Sequence, residues 1–180
     1  LRRLIEARRI TSAIFFGPPG TGKTALARFI AGSLGDTRVV ELNAVTAGAP
    51  ELKKTLETAK YLLTQNHQRT LLLVDEIHHF NRTQQDVLLP NVERAEVILI
   101  GLTTENPSFY VNAALLSRST AFEFLPLSEQ DISLITDRCL KDKEAGLGQF
   151  HLKMDPEAKE HFLRMAQGDA RRLLNALEIA

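Results

Sequence analysis

The chain has one cysteine, no net charge, and no apolar run near the roughly 18 residues that a membrane-spanning helix needs. Each shortage excludes something. A single thiol, Cys139, rules out an internal disulfide and fits a reducing cytosol. The longest apolar runs, at residues 71–74 and 97–102, have the length of buried strands rather than of membrane spans. With 22 Lys+Arg against 22 Asp+Glu, bulk charge carries no signal for nucleic acid, so any DNA-binding role must come from local features. The five histidines are scattered, and no Cys/His spacing suggests a metal site. Arg2, Arg3, Arg8 and Arg9 lie on a basic, helix-like stretch without the apolar segment of a signal peptide. Internal repeats and low-complexity segments are lacking, and the chain starts at Leu1 rather than Met, as a piece excised from a longer protein would.

What is present is the balance of a soluble globular protein, with 44% hydrophobic and 24% charged residues in 180. That length suits one ordinary domain, or one core with a small satellite. Short apolar segments at 13–16, 39–42, 71–74, 97–102 and 121–124 mostly lack polar alternation, which predicts strands buried on both faces. Helical patterns at 23–34, 50–63, 83–89 and 112–116 separate them, and Pro90 is expected to end or kink the third. Strands alternating with helices predict an α/β fold with a parallel sheet flanked by helices, its sites at the carboxyl ends of the strands. After Pro126 the pattern becomes all-helical. Ser128 and Asp131 resemble a capping box opening a helix that ends before Gly146. Asp155-Pro156 reads as an N-cap with proline at the first helical position, Gly168 as a stop, and Asp169 as the start of a last helix to Ala180. The expected division is an α/β nucleotide-binding domain over 1–126 and a small helical lid over 127–180.

Gly17-Pro18-Pro19-Gly20-Thr21-Gly22-Lys23-Thr24 fits the phosphate-loop pattern G-x-x-x-x-G-K-[ST] in full. A triphosphate needs several backbone N–H donors converging on its oxygens, and glycines let the chain curl closely enough to supply them. Pro18 and Pro19 have no N–H and stiffen the loop's entry, so the donors come from residues 20–24, with Ala25 next on the helix. That helix points its positive end at the phosphates. Lys23 adds a full charge at the β/γ oxygens, and the Thr24 hydroxyl can ligate Mg2+. A Gly/Pro turn before an ordinary helix would explain some of the glycines but not Lys-Thr after a buried strand.

Residues 71–74 lead into Asp75-Glu76, which puts two carboxylates at the edge where the phosphates sit. Asp75 would hold Mg2+, and Glu76 would orient the attacking water as general base. Small GTPases read guanine with an Asn-Lys-x-Asp segment, and this chain has no Asn-Lys pair. The AAA+ ATPases, which these motifs together resemble, imply ATP or ADP with Mg2+ as ligands.

Together these motifs resemble an AAA+ ATPase. The resemblance implies that Thr103, after the run 97–102, senses the γ-phosphate. It implies that Arg118, in Leu115-Leu116-Ser117-Arg118, reaches the neighbouring subunit's ATP, although a surface Arg paired with a carboxylate would look the same. Gly168-Asp169-Ala170-Arg171 resembles the second sensor motif, so Arg171, or its neighbour Arg172, would close the lid over ATP. Asn43 stands where many AAA+ proteins hold a polar residue restraining the catalytic Glu. Longer strings are more specific: 75–86 from Asp75-Glu76-Ile77-His78-His79 through Gln84-Gln85-Asp86, then Thr103-Thr104-Glu105-Asn106-Pro107-Ser108-Phe109, resemble the RarA/MgsA family, which includes the Werner helicase-interacting protein. His79 departs from the family's usual Arg, and Leu102 from its usual Ala.

That family resemblance implies a DNA-stimulated ATPase at replication forks, acting in recombination, repair and stalled-fork maintenance. It implies DNA junctions or ends, single-strand binding protein and other repair proteins as partners, no membrane, and a homo-oligomer, usually a tetramer formed through a C-terminal domain. It places the protein in the cytoplasm at the nucleoid if bacterial, or in the nucleus if eukaryotic. A clamp-loader or branch-migration subunit, or a nucleotide-gated scaffold with little turnover, would share the same motifs. Lys53 and Lys54, on the helix after the second strand, are candidates for DNA phosphate contact or an ordinary solvated pair. His78 and His79 read as helix-entry residues.

Overall fold

The computed structural model describes residues 12–179. The basic stretch of Arg2, Arg3, Arg8 and Arg9 and the end of the last helix at Ala180 lie outside them. Two compact units form. One comprises the residues up to Gly17 with Lys23–Glu123; the other comprises Pro18–Gly22 with the residues from Phe124 onward. Among the described residues no helix is long and apolar enough to cross a membrane.

The first unit is a five-stranded parallel sheet with helices between its strands. Its strands are β1 (Ser12–Phe16), β2 (Arg38–Asn43), β3 (Thr70–Asp75), β4 (Val97–Thr103) and β5 (Thr120–Glu123), in the order β2-β3-β4-β1-β5. The helices are α1 (Lys23–Ser33), α2 (Ala49–Asn66), α3 (Arg82–Glu93) and the one-turn α4 (Pro107–Tyr110) and α5 (Ala113–Leu116). The three central strands are the apolar ones, and Ile14, Leu72 and Leu99 are wholly buried. Covering a sheet on both faces requires such runs, because neither face meets water.

The expectation of burial on both faces fails for β2 and β5. Each has a paired neighbour on one side only, and Val39, Glu41 and Asn43 in β2 and Thr120, Ala121 and Glu123 in β5 are exposed. The exposed Glu41 of β2 pairs with Arg28 of α1 at 2.8 Å.

Pro90 does not end its helix, since α3 runs through it to Glu93. A proline removes one helical N–H and crowds the turn before it. Here only one turn follows, the Asn91 side-chain amide donates to Val87 O at 2.9 Å, and the Arg94 N–H donates back to Pro90 O at 3.1 Å. Gly101, in the middle of β4, permits a close approach. A Cβ there would lie 2.8 Å from both Ile14 Cδ1 and Ile77 Cδ1. Ile77 opens a 3-10 turn, Ile77–His79, directly after Glu76, so this glycine lets that turn seat against the sheet.

In the second unit, α6 (Glu129–Lys141), α7 (Pro156–Ala166) and α8 (Ala170–Ile179) pack around Ile132, Ala166, Leu173 and Leu177. The capping box is present: Ser128 Oγ accepts the Asp131 N–H at 3.2 Å, and Asp131 Oδ2 accepts the Ser128 N–H at 3.1 Å. The helix stops at Lys141, before Gly146 as expected. Asp142 Oδ1 accepts the N–H groups of Glu144 and Ala145 at 2.9 and 3.0 Å, offering the backbone a turn in place of another helical round. Asp155 precedes Pro156 as expected, but its side chain makes no capping bond. At the other break, Gly168 adopts φ +80, and Asp169 Oδ1 caps α8 by accepting the Arg172 N–H at 3.0 Å.

Candidate active site

Because the strands of the sheet are parallel, one edge collects all their carboxyl ends. Phe16 is in register with Thr103, and Asn43 with Asp75. Gly17, Asn43, Asp75 and Thr103 therefore end neighbouring strands at that edge, and Glu76 follows Asp75. Lys23, the first residue of α1, is buried, and its Nζ donates to Gly17 O at 2.6 Å. Thr24 is half-buried, its hydroxyl without a hydrogen bond among the described residues, and Ala25 is exposed beside it.

The tip of the phosphate loop belongs to the second unit. Pro18 and Pro19 are exposed there, and Thr21 Oγ1 donates to Pro18 O at 2.9 Å. Gly20 and Gly22 take φ +67 and +90, values that favour glycine. Within this unit the Ala170 N–H donates to Gly20 O at 3.0 Å, and a Cβ at Gly20 would overlap the Asp169 carboxyl. Gly20 is therefore required both for its conformation and for its contact.

Glu76 has φ 53 and ψ 45, a left-handed conformation uncommon outside glycine and concentrated at functional sites. Its Oε2 is buried and makes no hydrogen bond, although His78 Nδ1 lies 3.3 Å away. Asp75 is half-buried, and its Oδ1 accepts the Glu76 N–H at 3.2 Å. Thr103 is almost fully buried. Its Oγ1 accepts the Glu105 N–H at 3.0 Å and sits 2.9 Å from His78 Nδ1. His78 thus touches two of the candidate residues, which its reading as a helix-entry residue did not anticipate. No single-sequence signal gives this contact, because it depends on β3 and β4 being neighbours.

A second unforeseen residue is Gln85, buried on α3. Its Nε2 donates to Phe80 O and to Tyr110 O, both at 2.9 Å, and its Oε1 accepts the Asn112 N–H at 2.7 Å. All three bonds go to backbone, tying the segment after β3 to the segment after β4. Asn43 instead engages locally, accepting the Val45 N–H at 2.9 Å.

Arg118 is exposed beyond α5. Its Nε pairs with Glu93 at 2.5 Å, and the guanidinium donates to Ala114 O and Ser117 Oγ, each at 3.0 Å. Arg171 and Arg172 occupy the first turn of α8. The Arg172 side chain donates to Gln167 Oε1 at 3.2 Å, whereas Arg171 is exposed with no hydrogen bond or ion pair among the described residues. Lys53 and Lys54 are exposed on α2.

The donor set fits Mg2+. This ion takes oxygen ligands, commonly one or two from protein with the rest from phosphate and water. Thr24 offers a hydroxyl not otherwise engaged among the described residues, and Asp75 a carboxylate of which one oxygen accepts from the Glu76 amide.

Residues 13–127 match the family model for the "ATPase family associated with various cellular activities (AAA)". The chain belongs to the AAA family. Within AAA proteins, the resemblance to the RarA/MgsA family is borne out by curated relatives. Replication-associated recombination protein A of Coxiella burnetii is 44% identical over 179 residues, which are 99% of this chain and 40% of that protein. The Escherichia coli K12 protein of the same name is 42% identical over 182 residues, with the same shares covered. The ATPase WRNIP1 of Dictyostelium discoideum is 39% identical over the full chain and 20% of its own length. The chain thus spans about two fifths or less of these relatives. Among solved structures, a Thermotoga maritima RuvB mutant superposes with a TM-score of 0.76 at 20% identity, over 98% of this chain and 57% of RuvB, a likeness of fold.

Proposed function

We propose that the full-length protein is a Mg-dependent, DNA-stimulated ATPase that works as a homo-oligomer at replication forks, in recombination and repair. One observation carries the hydrolysis reading: Glu76, held in a left-handed conformation with an unpartnered buried oxygen, stands beside Asp75 at the edge where Lys23 and Thr103 also lie. The names of the relatives support the setting at replicating DNA.

In this reading the amides of residues 20–24 hold the phosphates, with Gly17, Pro18 and Pro19 shaping the loop. Lys23 exchanges Gly17 O for a β/γ oxygen. Thr24 and Asp75 hold Mg2+, which neutralises charge on the phosphate oxygens. Glu76 orients water for in-line attack, and Thr103 gives its hydroxyl to the γ-phosphate. Arg171 serves as lid sensor from the helical segment 127–180. Arg118 leaves Glu93 to stabilise the transferring phosphoryl in the neighbouring subunit, a role worth about 10³–10⁵ in rate.

The test is ATP hydrolysis by the full-length protein, with and without DNA bearing single-strand/duplex junctions, over a range of protein concentrations. Stimulation by junctions that is steep in concentration and lost in Arg118→Ala is expected. Nucleotide binding with negligible turnover on any DNA would instead identify a nucleotide-gated scaffold and overturn the reading.

A further inference from the structure

Three side chains from the ends of β3 and β4 form a line: Thr103 Oγ1 is 2.9 Å from His78 Nδ1, and His78 Nδ1 is 3.3 Å from Glu76 Oε2. The imidazole is held in place by His79, at a ring distance of 4.3 Å, and by the edge of Tyr110 at 5.9 Å. Thr103 Oγ1 already accepts from the Glu105 amide, so the hydroxyl has one proton left to give. A neutral imidazole carries one N–H, at either Nδ1 or Nε2.

These constraints allow two arrangements. When the Thr103 proton goes to His78 Nδ1, that nitrogen has no hydrogen and its one lone pair is occupied, so it cannot donate to Glu76 Oε2. When the Thr103 proton goes to another acceptor, the cluster is satisfied by the ring form with hydrogen at Nδ1, which can donate toward Glu76 Oε2. The heavy-atom distances of 2.9 and 3.3 Å accommodate either arrangement.

We propose that His78 is a positioning residue coupling γ-phosphate recognition at Thr103 to the orientation of Glu76. This rests on the hydrolysis reading above and adds to it. A phosphate oxygen that accepts from Thr103 releases Nδ1. With Nδ1 released, the ring form carrying hydrogen at Nδ1 is favoured, the proton exchanging through solvent, which the partly exposed ring can reach. The Nδ1–H then fixes the Glu76 carboxylate for its water. Without a γ-phosphate the lock is absent, so Glu76 is restrained only when a triphosphate is bound.

The experiment uses the full-length protein, comparing His78→Phe, His78→Ala, His78→Asn, Thr103→Val and the double variant Thr103→Val/His78→Ala. Steady-state kcat and KM for ATP are measured alongside equilibrium binding of ADP. Phe keeps a ring between His79 and Tyr110 without a nitrogen; Asn returns a hydrogen-bonding group near Nδ1. His78→Phe is expected to lower kcat by about tenfold or more, with KM and ADP affinity within about twofold, and His78→Asn to recover most of the loss. Thr103→Val, nearly the same size as Thr, should lower kcat in the same pattern, with no further change on adding His78→Ala, which on its own lowers kcat as Phe does. Wild-type kcat in His78→Phe would overturn the proposal, as would loss of ADP binding in step with kcat. Additive losses in Thr103→Val/His78→Ala would overturn it even if the Phe variant failed to fold. Wild-type protein that binds ADP without turning over ATP would sink the hydrolysis reading itself, and this inference with it.

Discussion

The two units reach order by different means. In the α/β unit, Ile14, Leu72, Leu99 and Ile100 are wholly buried in the central strands, and the polar residues of interest sit at one edge of that core. In the helical unit the buried apolar set is small, Ile132, Ala166, Leu173 and Leu177, and the helix ends are fixed by carboxylates: Asp131 and Asp142 on either end of α6, and Asp169 at the start of α8. A deep core over-determines the backbone, so it can hold Glu76 in a left-handed conformation and leave its Oε2 without a donor. A thin core ordered by surface carboxylates has less in reserve and depends more on solution conditions.

The sharpest way to expose this contrast is to separate activity from stability at the edge of the core. Glu76→Gln in the full-length protein is expected to lower ATP turnover by about 10²–10⁴, the range of a lost general base. The melting temperature should not fall, because the change removes a buried carboxylate oxygen that has no partner. Turnover within about threefold of wild type would remove Glu76 from the reaction. A core truncation in each unit comes next. Leu99→Ala, in the middle of β4, should destabilise by about 3–5 kcal/mol, and Leu173→Ala, in the smaller cluster, by about 2–3 kcal/mol, read from denaturant midpoints. Equal losses would mean that the helical unit relies on its core as heavily as the sheet does.

The central strands were legible because burial on both faces leaves uniform apolar runs, and the Ser128–Asp131 box because its partners are three residues apart. What sequence could not give are properties set by neighbours. The exposure of Val39 and Ala121 follows from strand order, which makes β2 and β5 the edges. The helix through Pro90 survives because of a side-chain bond from Asn91 and a single remaining turn, neither of which a rule about proline contains. The phosphate loop and Asp75-Glu76 were readable as motifs since each is contiguous. The link from Thr103 to Glu76 was not, as it passes through His78 only once β4 lies beside β3.

The smallest expected effect tests the carboxylates that order the helical unit. Hydrogen bonds from Ser128 hold the Asp131 carboxyl below its ordinary range, Lys159 does so for Asp137, and the amides of Ala145 and Glu144 do so for Asp142. In the other unit, Arg28 lowers Glu41 in the same way. A carboxyl with a folded-state pKa below its unfolded value binds fewer protons when folded, so its contribution is present above the unfolded value of about 3.9 and is lost as pH falls through the folded value. All of these groups lie at the surface and are screened by salt, so the effect is small and falls below about pH 4. Urea midpoints at about pH 7 and about pH 3, at low salt, should therefore differ more for wild type than for Asp131→Asn/Asp137→Asn/Asp142→Asn, which keeps the acceptor oxygens but cannot titrate. The same pair of midpoints for Glu41→Gln should lie nearer wild type, because one carboxylate is removed there against three. A triple variant as acid-sensitive as wild type would show that the helical unit's order does not run through these carboxylates, and the contrast between the units would then rest on core size alone.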